Sequence, residues 1–150
     1  MAQSFSQIFV HAVFSTKKRY PFIKAEIESE LFAYMGDSIK RLKGIPILIN
    51  GIANHVHVFS TLPKLITVPK LIEELKRNSS RWIKSKGVSY QRFAWQNGYG
   101  AFSVSESQLR IVLQYIQRQK EHHKKRSFQE EFIEILEKHN IEYDPKYIWD

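Results

Sequence analysis

The chain has 150 residues, of which 43% are apolar and 13% aromatic; this is enough to bury the core of one domain and argues against disorder. It contains no cysteine, which excludes a disulfide framework, a thiolate metal site and a cysteine nucleophile. Lys and Arg outnumber Asp and Glu by 21 to 8 in residues 1–127, whereas residues 128–150 are acidic, with 2 against 7. A basic body favours a polyanionic partner, most often nucleic acid, and a merely basic soluble protein is the alternative.

The first half of the chain alternates between strand and helix patterns. Residues 5–16 are rich in β-branched and aromatic types and predict a buried strand. Between Ile23 and Leu42, apolar residues recur at helical spacing, which predicts an amphipathic helix. Two further strands, over 45–50 and 55–62, flank the turn-prone sequence GIAN and predict a β-hairpin.

The second half repeats this alternation and then adds helices. A helix is predicted over 69–87 and a strand over 93–105. Ser105 with Gln108, and Ser127 with Glu130, have capping-box spacing and predict two more helices, followed by an extended tail over 141–150.

The resulting order is β-α-β-β-α-β with a helical addition. It predicts an α+β fold with a ferredoxin-like, RRM-like antiparallel sheet, helices on one face and the other face open for a site. We expect one domain over 1–150, with a core at about 5–126 and a C-terminal helix and tail over 127–150.

No targeting signal is visible in the sequence. The start, MAQSFSQIFVHAVF, lacks the basic residues and unbroken apolar run of a signal peptide, and no stretch reaches the roughly 18 apolar residues of a membrane span. We therefore expect a soluble, cytoplasmic protein without a membrane partner.

The predicted hairpin contains NHVHVF, with two histidines one residue apart. Alternate residues of a strand share a face, so His55 and His57 would emerge together while Val56 and Val58 turn to the opposite face. Two imidazoles that face the same way suggest a metal site, although a polar stripe or two satisfied core histidines fit the same spacing.

The helix after the last strand contains QYIQRQKEHH. Tyr115 and Gln119 are four residues apart and share a helix face, next to the apolar stripe that ends at Ile116. Such a pair is also ordinary on a half-exposed helix. His122 and His123 follow, and we interpret them as phosphate-contacting or solvent-exposed rather than as metal ligands.

Together these features resemble the HUH single-tyrosine transposases of small bacterial insertion sequences, including those associated with repetitive extragenic palindromes (REPs). The segments FVHAVFSTKKR, NGIANHVHVFSTL and WQNGYGAFSVS, followed by the tyrosine helix, occur in the same order, so the resemblance spans roughly residues 5–130. It implies that His55 and His57 bind a metal, that Tyr115 is the nucleophile and that Gln119 is the third ligand.

The resemblance also implies the reaction. The family cleaves and rejoins single-stranded DNA at hairpin-bearing element ends, through a 5′-phosphotyrosine intermediate, with Mg²⁺ or Mn²⁺. Imidazole ligands suit Mn²⁺ or Zn²⁺ better than Mg²⁺, whereas the family resemblance implies Mg²⁺ or Mn²⁺. The resemblance further implies a homodimer, with active sites composed of both subunits, that associates with the bacterial nucleoid when active.

Basic and aromatic residues provide candidate DNA contacts. The aromatic candidates for base stacking are Phe93, Trp95, Tyr99 and Phe102. The basic candidates for phosphate contacts are Lys17, Lys18, Arg19, Arg77, Arg81, Arg92, Lys124, Lys125 and Arg126.

Two alternatives to the transposase remain open from the sequence. A noncatalytic nucleic-acid-binding module with an RRM-like open sheet would not need the histidines, Tyr115 and Gln119 together. A small metallohydrolase would use the histidines with water as the nucleophile, and Tyr115 would be incidental.

Overall fold

The computed structural model describes residues 2–149, so Met1 and the last residue of the predicted tail, Asp150, lie outside the described part of the chain. Its regular elements, in chain order, are β1 (Phe9–Ser15), α1 (Ala25–Arg41), β2 (Pro46–Ile52), β3 (His55–Thr61), α2 (Val68–Lys84), β4 (Gly100–Val104), α3 (Leu109–Gln117), α4 (Gln119–His122) and α5 (Phe128–Lys138). Short 3₁₀ turns precede α1, β4 and α3.

The four strands form one antiparallel sheet in the order β2-β3-β1-β4. This is the order that a β-α-β-β-α-β chain adopts in a ferredoxin-like fold. β3 and β1 are the central strands, so their side chains are covered by neighbours on both sides. Residues on β3 are therefore hydrogen-bonded to a neighbouring strand on each side.

One face of the sheet packs against α1 and α2. Ala12 and Phe14 of β1 and Val56 and Val58 of β3 point into this layer, in agreement with the alternation of a pleated strand. Phe93 and Trp95, two of the aromatic residues considered for base stacking, also belong to this core.

The opposite face is covered, and here the structure differs from the expectation of an open sheet. Val13 and Phe102 pack there against the apolar side of α5, which contributes Phe128 and Phe132. The tail does not extend away but returns, so that Tyr143, Ile148 and Trp149 pack on the same cluster. The C-terminal segment thus covers the sheet face to which the histidines belong.

The two predicted capping boxes have different outcomes. Ser127 accepts from the backbone N–H of Glu130, whose side chain accepts from the backbone N–H of Ser127, and α5 begins there. At Ser105 no such bond forms, because a 3₁₀ turn separates it from α3 and its hydroxyl bonds to Ser107 instead. Strand β4 is also shorter than predicted and begins only at Gly100.

Among residues 2–149, no helix is both long and apolar enough to cross a membrane.

Candidate active site

The histidine pair lies on the central strand β3. His55 and His57 are fully buried, and both point to the sheet face that α5 covers. Val56, between them, points to the other core. The prediction that the two imidazoles emerge side by side is confirmed: their ring centroids are 5.2 Å apart.

Each imidazole is oriented by a polar neighbour at its Nδ1 atom. Asn54 Oδ1 lies 2.8 Å from His55 Nδ1, and His11 Nε2 lies 2.8 Å from His57 Nδ1. His11 comes from β1, the strand paired with β3. Such outer partners fix the tautomer and ring plane of histidines that bind metals. Both Nε2 atoms are thereby directed to one point above the sheet.

Helices α3 and α4 bring Tyr115 and Gln119 to the histidines within the same chain. Gln119 Oε1 lies 3.1 Å from His55 Nε2, and the rings of Tyr115 and His57 are 5.9 Å apart. The helix breaks at Arg118 between the two residues. Asn50 Nδ2 donates to the carbonyl of Ile116 at 2.9 Å, which fixes the end of α3 on β2. A second subunit is therefore not needed to unite the four predicted groups.

A residue that the sequence analysis missed occupies the centre of this arrangement. Glu131 of α5 is fully buried, and its Oε1 atom lies 3.1 Å from His57 Nε2 and 3.3 Å from His55 Nε2. Its Oε2 atom accepts from Gln119 Nε2 at 3.2 Å and from the Tyr115 hydroxyl. One carboxylate thus contacts both histidines, the amide and the phenol.

His123 belongs to the same cluster, so the interpretation of it as solvent-exposed or phosphate-contacting is wrong. Its side chain is 4% exposed, and its Nε2 atom lies 3.0 Å from Glu131 Oε1. Its Nδ1 atom donates to the carbonyl of Arg126 at 3.0 Å. The chain turns back after α4 to begin α5, and this turn directs His123 inward.

Burial sets the protonation states in the cluster. Desolvation lowers the pKa of His55 to about 4, although the nearby Glu131 carboxylate acts in the opposite direction. Burial is the largest cause that lowers the pKa of His11, and the neighbouring His57 is the second. Burial alone would raise the pKa of Glu131, but its contacts with His123, His55 and His57 outweigh this and hold that pKa well below its usual range. At neutral pH a neutral imidazole at His55 therefore lies beside an ionised carboxylate.

The donor set fits a divalent cation. Because His55 is neutral and its Nδ1 donates to Asn54 Oδ1, its Nε2 atom presents a lone pair to Gln119 Oε1 and Glu131 Oε1, which are also acceptors. Converging lone pairs repel one another unless a cation lies among them. His55, His57 and Glu131 each offer a ligand atom, all within 4.8 Å of one another. Two ligand atoms that each lie about 2.0–2.2 Å from the same ion are separated from each other by similar distances.

The Tyr115 hydroxyl lies between an anion and a cation. It donates to Glu131 Oε2, and Arg126 donates to it at 3.3 Å. The His122 ring stacks on Tyr115 at 4.8 Å, and His122 Nε2 is buried with no hydrogen-bond partner among the described residues. Burial is the main cause that raises the pKa of Tyr115 above its usual range, and the neighbouring Glu131 carboxylate raises it further. The phenol therefore keeps its proton here and needs added positive charge to react.

The predicted DNA-binding residues divide by position. Arg77 and Arg81 lie on α2, across the sheet from the histidines. Arg126 lies beside Tyr115 and pairs with Glu134, and Arg19 lies over the Trp149 ring at 5.5 Å. The remaining five are exposed at the surface: Lys17, Lys18, Arg92, Lys124 and Lys125.

Comparison with known proteins identifies the family. The model of the IS200-like transposases matches residues 4–119, which is most of the chain. The chain therefore belongs to the family of IS200-like transposases, as the sequence resemblance implied. No curated protein matches it.

Two solved structures share the fold. A candidate transposase from Deinococcus radiodurans R1 superposes with a TM-score of 0.61 at 20% identity, covering 79% of this chain and 98% of that one. The REP-associated tyrosine transposase bound to a REP hairpin has a TM-score of 0.61 at 13% identity, covering 82% of this chain and 73% of that one. These similarities confirm the predicted fold class.

Proposed function

We propose that this transposase cleaves and rejoins single-stranded DNA with Tyr115 as the nucleophile, assisted by a divalent metal. One observation supports this above all: the Tyr115 hydroxyl bonds to a carboxylate that also contacts the paired histidines. A phosphate bound near this carboxylate would lie close to both the nucleophile and a metal.

In this proposal His55, His57 and Gln119 hold Mg²⁺ or Mn²⁺, as the family resemblance implies, and Glu131 and His123 add two further ligands. The three imidazoles favour Mn²⁺. When bound, the ion supplies positive charge that neutralises the phosphate and makes the phenol more acidic. Asn54 and His11 keep the rings of His55 and His57 aimed at the ion.

The reaction exchanges one phosphate ester for another. The Tyr115 oxygen bonds to phosphorus, the bond from phosphorus to the 3′ oxygen breaks, and the proton lost by the phenol ends on that 3′ oxygen. The 5′-phosphate stays on Tyr115 until another 3′-hydroxyl attacks it, which releases the phenol. Arg126 donates to the phenol oxygen and stabilises negative charge that develops on it.

The proposed substrate is single-stranded DNA with hairpins, because the relative of similar fold is bound to a REP hairpin. Phosphates of the strand would be contacted by Lys17, Lys18 and Arg92. Further phosphates would be contacted on the far side of the sheet, away from the reacting centre, by Arg77 and Arg81. Lys124, Lys125 and Arg126 would grip the strand near Tyr115. We further propose that the protein acts in the bacterial cytoplasm as a homodimer.

The noncatalytic alternative has less support. An RRM-like module binds nucleic acid on an open sheet, whereas α3 and α5 cover the corresponding face here. A hydrolase that uses water would leave the contact between Tyr115 and Glu131 without a purpose.

The proposal is tested by incubating the protein with Mn²⁺ and labelled oligonucleotides that contain the palindromes flanking its gene. We expect an adduct that survives denaturation, that disappears in Tyr115→Phe and that persists in Tyr147→Phe, a control at an exposed tyrosine. An adduct that forms equally in Tyr115→Phe would remove Tyr115 from the reaction. Cleaved products without any adduct would favour the hydrolase.

A further inference from the structure

A cavity of about 510 Å³ lies between β4, α3 and α5, beside the nucleophile. Tyr115 and His11 form part of its wall, so it adjoins the metal cluster. Its volume is within the range of about 300–1,000 Å³ that is usual for ligand pockets. The cavity is therefore large enough for part of a substrate that reacts at Tyr115.

Most of the cavity wall is apolar or aromatic. Phe102, Val112 and Ile135 line it, and the His139 ring lies 4.5 Å from the Phe102 ring with 31° between their planes. His139 Nδ1 is 2.9 Å from the carbonyl of Ile135, which holds the imidazole in that orientation. Flat π-systems of this kind stack on nucleobases of any sequence.

The same wall also carries polar groups. Gln108 offers an amide and Ser105 a hydroxyl, which can pair with the edge of a base. The ammonium of Lys138 belongs to an exposed side chain of α5 that also lines the cavity, and it suits the phosphate that follows the base. An apolar wall with a few polar groups and one cation matches a nucleotide.

We propose that this cavity binds one unpaired nucleobase next to the phosphate that Tyr115 attacks. The inference rests on the proposed function, because that reaction places a phosphodiester at the Tyr115 hydroxyl. The two nucleotides joined by that phosphate must lie beside Tyr115, and the cavity provides a space at that position. The subsite would help to set which phosphodiester is cleaved.

The test compares intact oligonucleotides with oligonucleotides that lack a single base on either side of the cleaved phosphate. For the wild-type protein, loss of the base at one of these two positions should slow adduct formation by about 5- to 150-fold, the factor that corresponds to about 1–3 kcal/mol per stacked base. Loss at a position farther along the strand should have a smaller effect.

Two variants at exposed positions of the cavity test whether this penalty arises there. Ile111→Trp fills the cavity from the helix face that carries Tyr115, and His139→Ala removes the aromatic ring beside Phe102. Both should slow the reaction of the intact oligonucleotide, while the missing base should cost them little further. Val88→Trp, a tryptophan at an exposed aliphatic position that does not line the cavity, should keep the wild-type penalty.

The outcomes separate this inference from the proposed function. If the wild type forms the adduct but tolerates both missing bases within about twofold, or if the penalty is unchanged in Ile111→Trp and His139→Ala, the subsite is wrong and the proposed function stands. If the wild type forms no adduct with intact oligonucleotides, the proposed function fails and the subsite fails with it.

Discussion

Replacing Glu131 by glutamine removes one charge from the buried cluster and keeps the size of the side chain. Without metal, the new amide can donate to an imidazole nitrogen and its oxygen can still accept from Tyr115, so we expect the free energy of unfolding to change by less than about 1 kcal/mol. With metal, the loss of an anionic ligand should weaken binding strongly. The variant thus distinguishes a metal ligand from a partner in a structural ion pair.

The size of the effect follows from ligand linkage. Mn²⁺ at about 100 times its Kd stabilises the native state by about 2.7 kcal/mol, which for a domain of this size raises Tm by about 5–10 °C. If Glu131→Gln raises Kd by about 100-fold, the same Mn²⁺ concentration stabilises by only about 0.4 kcal/mol, or about 1 °C. Scanning calorimetry in EDTA and in Mn²⁺ measures both values.

Glu130→Gln is the matched control. Glu130 is exposed on the same helix, and glutamine can replace it in the capping box, so the Mn²⁺-induced rise in Tm should be that of the wild type. The reasoning is refuted if Mn²⁺ stabilises Glu131→Gln and Glu130→Gln equally. It is also refuted if Glu131→Gln loses about 3–5 kcal/mol without metal, because that is the cost of breaking a buried ion pair.

Three further predictions concern the same cluster. His57→Ala should abolish cleavage but leave hairpin binding in gel-shift assays largely intact, since binding depends on the basic surface; equal loss of both activities would make His57 structural. Gly100→Ala would place a Cβ atom 2.7 Å from the Phe132 ring and 3.0 Å from the Phe102 ring, so it should lower the free energy of unfolding by about 1–3 kcal/mol. Because it displaces α5, it should also weaken Mn²⁺ binding in calorimetric titrations. Unchanged Mn²⁺ affinity would show that metal binding does not depend on the position of α5. Without metal, the free energy of unfolding should fall by roughly 3 kcal/mol between about pH 6.5 and pH 4, because burial holds the pKa of His55 at about 4 and the unfolded chain takes up the proton first. Urea titrations across this range should show a flatter dependence for His55→Asn, and an identical slope would exclude His55 as the cause.

The sheet and its histidines could be predicted because local patterns determine them. The alternation in NHVHVF places both imidazoles on one face whatever the neighbouring strands are, and the structure has them there. The i, i+4 spacing of Tyr115 and Gln119 was sufficient even though the helix breaks at Arg118. The capping box at Ser127 located the start of α5 because its bonds are local.

The role of Glu131 could not be predicted, because it depends on where α5 docks. The sequence held one signal: Glu131 lies three residues after Phe128 and four before Ile135, so it is a charged residue on a helix face that is otherwise apolar. The set of His55, His57 and Gln119 implied by the resemblance therefore omits the carboxylate that contacts all three. His123 was missed because the turn that directs it inward is fixed by the packing of Phe128 in the second core.

The position of Glu131 along the chain has a consequence for biosynthesis. The cluster draws on β1, β3, α4 and α5, so its side chains range from His11 to Glu131 in the sequence. A ribosome that has not yet passed residue 131 has made a chain whose paired imidazoles lack their carboxylate. Under the proposed function, a nascent chain would therefore bind metal weakly, and DNA cleavage would begin only once α5 has folded back onto the sheet.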